Sequence, residues 1–200
     1  MFGNSVRILF MVLFICMFGV AVQADEILEA IEEATAAYNE KAYSEAVESL
    51  DYAKQLIMQM SSEGLMTFLP EPMEGWNGKE AKSQNLGILG GSSGIEKEYS
   101  RLGTGKDGQG TITLTIMGDS PIFQGMMAMF NPAIAGADGG KLQKIKRNKS
   151  IVKYNADNRS GEVMINVAKK YLVTIKGKNV EKTELMYFAE EIDYKGLKAF

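Results

Sequence analysis

The chain has 200 residues, 22 basic against 25 acidic, a formal charge of −3, no histidine and one cysteine, Cys16. That length fits one modest domain with a real core, and so mild a charge points to neither a nucleic-acid binder nor an acidic tail. Imidazole general bases are excluded, and once a leader carrying Cys16 is removed, so are thiol chemistry, disulfides and thiolate zinc sites.

The opening reads as a secretory signal. Arg7 precedes an apolar run from Ile8 to Val20, and Val22-Gln23-Ala24 stands ahead of the acidic pair Asp25-Glu26. The residues at the cleavage positions are those a signal peptidase reads. The run is shorter than the ~20 residues that cross a hydrocarbon core, so a retained anchor is the weaker reading. Leu13-Phe14-Ile15 is too bulky a lead-in for Cys16 to mark a lipoprotein. The expected organisation is a signal peptide over 1–24, cleaved after Ala24, then a helical hairpin over 25–64 and an α+β sheet domain over 65–200, located in the periplasm.

From Asp25 to about Met60 the apolar residues keep a helical period: Ile27, Ile31, Ala34 and Tyr38, then Tyr43, Val47, Leu50, Ala53, Ile57 and Met60. Two amphipathic helices follow from this, broken near Asn39-Glu40-Lys41, with Gly64 as a C-terminal stop. The spacing of AAYNEKAYSEAVESLDYAKQL resembles a tetratricopeptide helical pair, with Tyr43, Ala46, Leu50 and Ala53 at the packing positions. Stacked repeats need about three copies to bury their faces, and one is present. The pair is therefore expected to pack on the rest of the chain or on a second copy, with a partner-binding groove as the competing reading.

In LPEPMEGWNG, Pro70 and Pro72 impose extended backbone, and Trp76, the only tryptophan, is expected to pin this connector to the core. Gly87 to Gly94 reads as a flexible loop. Beyond it the period changes to two: Ile95 to Leu102, Thr111 to Met117, Val163 to Val167 and Tyr171 to Ile175 are predicted strands, and Leu142 to Tyr154 adds two more. TITLTIM puts Ile112, Leu114 and Ile116 on one face and threonines on the other, which predicts a sheet with one covered face. Asp-Gly and Asn turn chemistry between the strands favours antiparallel hairpins. A short Met-rich helix is expected from Pro121 to Asn131-Pro132. A closing helix from Val180 to Phe200, capped by Asn179, is expected to cover the sheet. The fold class is α+β: an N-terminal helical hairpin followed by an antiparallel sheet covered by helices.

LPEPMEGW, MGDSPIFQGMMAMFNPAIAGADGGKL, KKYLVTIKG and the closing AEEIDYKGLKAF together resemble a group of uncharacterised proteobacterial periplasmic proteins marked by an LPxPxxGW motif. The order of elements is also similar to the α+β sandwich of the photosystem II extrinsic (PsbP-like) proteins. Neither likeness brings catalytic residues with it.

Chemical motifs are thin. Gly103, Gly105 and Gly108 spell the dinucleotide fingerprint, but a strand follows where the motif needs a helix, so a hairpin turn is the better reading. Asn155, Asp157 and Asn158 lack the closing glutamate of a calcium loop. Glu96, Glu98, Asp119 and Asp138 form no recognisable acid pair, and no enzyme activity is expected. Met126, Met127 and Met129 beside Phe130 could ligate copper(I), fill an irregular core or line an apolar groove; lacking histidine or cysteine support, the groove is preferred and no cofactor is expected. Lys141, Lys144, Lys146, Arg147, Lys149 and Lys153 read first as a lysine-protected edge strand and second as a membrane-surface patch. On one continuous strand Lys144 and Lys146 would share a face opposite Arg147 and Lys149. The expected interaction surface is Met126, Met127, Met129, Phe130, Lys144 and Lys146, and the expected partner an unidentified protein or hydrophobic ligand, with weak membrane-surface contact as the alternative.

Overall fold

The computed structural model describes residues 25–85, 93–103, 108–118, 125–136 and 139–200. Residues 1–24, where a signal peptide is expected, most of the Gly87–Gly94 loop, Gly105, the expected Pro121 start of the Met-rich helix, Asp119 and Asp138 fall outside the described residues. The chain divides into two compact units, 1–60 and 61–200.

The first unit holds α1 (25–39) and α2 (Tyr43–Met66) as far as Met60, which form a hairpin; the last turns of α2 belong to the second unit. The hairpin's turn is a Schellman cap: Ala42 N–H donates to Ala37 O at 2.9 Å and Lys41 N–H to Tyr38 O at 3.1 Å, with Lys41 at φ 64°. The buried residues of the pair are small: Ala30 and Ala34 on α1, Ala46 and Ala53 on α2. Tyr43 and Leu50, by contrast, are exposed. Of the four expected packing positions, the two alanines are buried and the two larger residues are exposed.

Gly64 is no helix stop, because α2 continues to Met66. A Cβ there would lie 2.5 Å from the Phe200 ring, so the glycine provides close approach and not termination.

The second unit is an eight-stranded, wholly antiparallel sheet: β1 (Asn77–Gly78), β2 (Lys82–Asn85), β3 (Ser93–Arg101), β4 (Gly110–Met117), β5 (Lys141–Ile145), β6 (Asn148–Asn155), β7 (Ser160–Val167) and β8 (Tyr171–Lys178). The order is β1-β3-β4-β8-β7-β6-β5, with β2 also on β3. β4 shows why one face is covered: its residues alternate between buried and half-buried along its whole length. Ile112, Leu114 and Ile116 join Ile95, Tyr99, Val163, Val173 and Ile175 in a core under α4 (Lys182–Glu190) and α5 (Tyr194–Ala199).

The closing segment is two helices, not one. Glu181 caps α4 through a capping box with Glu184, whereas Asn179 sits in the left-handed region at φ 54°, and Asp193 caps α5. Ile192 still continues the apolar stripe because the break preserves which side faces the sheet. Gly161 and Gly177 are cross-strand partners, and a Cβ on either would collide with Leu185 of α4 or its surroundings at 2.7 Å or less. The glycine pair is the slot that admits this helix. Trp76 is buried, its ring 5.4 Å from Phe188, and Tyr99 O–H donates to Pro70 O at 2.7 Å, so the proline-rich connector is fastened at both ends.

Candidate functional site

A smaller apolar cluster occupies the second face of the sheet. Ile151, Met164 and Leu172 point there from β6, β7 and β8, opposite the faces of their neighbours in the main core. A 3-10 turn (Met127–Phe130) and α3 (Pro132–Ala135) lie over this patch. Asn131 ends the first and caps the second, its side-chain oxygen accepting from Ala133 N–H at 3.0 Å, with Pro132 at the first helical position. Asn131-Pro132 therefore interrupts the Met-rich segment without ending its helical course.

Phe130 is buried here, and Met126, Met127 and Met129 are half-buried against the cluster. The three thioethers neither enclose a pocket nor stand free in solvent. Asn166, only 8% exposed, donates through Nδ2 to Met127 Sδ at 3.2 Å.

Lys144 and Lys146 lie elsewhere than one shared face. A turn at Lys146-Arg147 separates β5 from β6, which pairs Lys144 with Lys149 across the ladder. Cross-strand partners project to the same side, so Lys144 and Lys149 form the patch that a single continuous strand would have split. β5 is the terminal strand of the sheet, with Lys141 and Lys144 exposed on it, and these charges oppose edge-to-edge pairing.

Beside Met127 the sheet end forms an open hollow of about 690 Å³. Met127, Phe130 and Pro132 give it apolar surface, and Arg147, Lys149, Lys169 and Lys198 bring four cations. No described carboxylate lines it. Lys144 and Lys146, though adjacent in sequence, do not line it either.

Two of the cations stand on unusual backbone. Lys146 and Arg147 have φ 45° and 70° in the β5–β6 turn, and Ala168 and Lys169 have φ 54° and 59° in the β7–β8 turn. Each non-glycine residue in that region costs roughly 1–2 kcal/mol. Buried asparagines hold both turns. Asn148 Nδ2 donates to Ile145 O and Lys146 O at 3.3 and 3.2 Å, and Asn166 Oδ1 accepts from Lys169 N–H at 2.9 Å. Asn166 thus ties a strained cationic turn to a Met-rich segment more than thirty residues earlier in the chain.

Of the expected surface, the hollow uses Met127 and Phe130. Arg147, Lys149, Asn166, Lys169 and Lys198 complete it. Arg147 and Lys149 belong to the basic run visible in sequence, but nothing local marks Asn166, Lys169 or Lys198, which join only through strand pairing and the position of α5.

Glu98 is paired with Lys79 at 2.7 Å, and no group of three or more Asp, Glu, Cys or His is placed to hold a metal among the described residues. The Asn155 loop is a polar turn in which the Asn155 side chain accepts from Asp157 N–H at 2.9 Å. No described helix is long and apolar enough to cross a membrane. No protein-family model, curated protein or solved structure matches the chain.

Proposed function

We propose that this chain is an exported, non-enzymatic binding domain whose hollow beside Met127 takes an anionic ligand carrying an apolar portion. The supporting observation is the pairing of an apolar Met127-Phe130 surface with four cations, two of them held on left-handed backbone by buried asparagines. Cations gathered without carboxylates attract an anion, and flexible thioethers accommodate an apolar chain of imprecise shape. Mild acidity elsewhere does not oppose this, since the field at the hollow is set by nearby groups.

Native mass spectrometry of protein taken from a periplasmic extract, followed by titration with dodecanoate and with neutral dodecanol, tests the reading. Binding of the carboxylate but not the alcohol, lost in Lys169→Glu, is the expected result. Equal binding of both, or of neither, refutes it.

A second reading, a peripheral membrane factor, draws on Lys144 and Lys149 standing side by side near the exposed Leu142. It requires sedimentation with anionic vesicles that fades as salt is raised. Absence of sedimentation at low salt eliminates it.

A further inference from the structure

The helical hairpin carries a large apolar surface that its own packing does not consume. Within each helix, the residue after an inward-facing one is turned by about 100°. Because α1 and α2 run antiparallel, Ile31 and Thr35, which follow Ala30 and Ala34, face the same side as Val47 and Lys54, which follow Ala46 and Ala53. The Tyr38 and Tyr43 rings, 5.9 Å apart, meet on that side at the turn. Leu28, Leu50 and Ile57 extend it, and all seven large apolar residues of this face are substantially exposed.

Three features say what covers it. The positions 28-31-35-38 and 43-47-50-54-57 alternate steps of three and four, the spacing of a seam that packs at a shallow angle against helices of like spacing. The hairpin supplies such a seam on both of its helices, so the face is complementary to itself. Charge is arranged accordingly: residues 25–60 hold nine carboxylates against Lys41 and Lys54, yet none of the carboxylates falls on these seam positions. The carboxylates lie off these positions: Tyr52 O–H donates to Glu26 across the hairpin, and Glu33, Glu48 and Asp51 line a shallow depression beside Tyr52 that reaches Val47 at the edge of the seam. Finally, the exposed fractions leave roughly 700 Å² of apolar side-chain surface per copy, close to the ~800 Å² per partner of a stable interface.

We propose that this face is a homodimer interface, on which a second copy of the chain lays the same seam to close a four-helix bundle. Face-to-face pairing keeps the carboxylates off the seam and at the outside of the bundle.

Sedimentation velocity of the exported protein purified from a periplasmic extract, at micromolar concentration, tests it, with the wild-type mass measured first. A dimer is expected, and Leu50→Glu or Val47→Glu should weaken association by about a hundredfold while leaving far-UV circular dichroism unchanged. Leu102→Glu, at the most exposed apolar side chain of the second unit, should leave the dimer intact. A wild-type monomer overturns the proposal and hands the face to a different protein or to another segment of this chain. A dimer that survives both seam substitutions overturns it equally.

Discussion

Phe188→Ala is the sharpest test of the core. Phe188 is fully buried on α4, its ring 4.5 Å from Tyr99 and 5.4 Å from Trp76, so one side chain joins the helix, the sheet and the proline-rich connector. A phenyl group of this kind buries about 200 Å², worth about 5 kcal/mol at 25 cal/mol per Å². Large-to-small substitutions at such sites lose about 3–5 kcal/mol, and the surrounding tyrosine and tryptophan are too large to collapse into the space, which places the loss near 4 kcal/mol. Against a total of about 5–15 kcal/mol, that is a quarter or more of the stability. Urea unfolding followed by Trp76 fluorescence measures it directly, since the chain has one tryptophan and it touches the altered site. With a urea dependence of about 2 kcal/mol per molar, the midpoint should fall by about 2 M. A loss below about 1 kcal/mol, with the Trp76 emission unmoved, would refute the assignment of this cluster as the junction of the fold.

Alkaline pH should unfold the second unit in a graded way. Burial, helped by Glu71 for Tyr99 and by Glu190 for Tyr194, pushes both phenols above the ordinary tyrosine value. The folded state therefore keeps its phenol protons after unfolded tyrosine ionises near pH 10, so stability is intact below that pH and falls above it, by up to about 1.4 kcal/mol per pH unit for each residue. Urea midpoints from pH 9 to 11 should show this slope, reduced in Tyr194→Phe; a flat profile contradicts it. Arg147→Gly should leave urea stability unchanged or raise it by up to about 1 kcal/mol, because glycine relieves the φ of 70°. The same variant should weaken dodecanoate binding, and a stability loss above 1 kcal/mol would show the turn unstrained. Gly161→Ala should cost about 1–3 kcal/mol through the 2.7 Å approach of its Cβ to Lys153 O and to Leu185, and a neutral urea midpoint would mean that α4 shifts freely.

Periodicity made the elements readable wherever one face alone decided burial. The alternation of TITLTIM and the helical spacing of Ile27 to Met60 gave the strand and hairpin from sequence, and the single tryptophan in a proline-rich stretch announced a buried anchor. Local pattern failed where a contact came from far along the chain. Gly64 looks like a helix stop, but its reason is the ring of Phe200; nothing local marks Gly161 and Gly177, which together make room for Leu185. The break between α4 and α5 was hidden because the apolar stripe runs through it unbroken.

Charge followed the same division. Counting lysines and methionines located an unusual region, and that much is a property of composition. Which of them share a surface depends on a two-residue turn that reverses the chain at Lys146-Arg147 and sets Lys144 against Lys149. Asn166, Lys169 and Lys198 enter the hollow only because the end of β7, the start of β8 and the last turn of α5 come together there. A sequence specifies the period of its own burial, since each residue's neighbours at i+2 or i+4 are fixed by local geometry. The company a side chain keeps across strands is set by register and crossover, and these are decided when the whole sheet assembles.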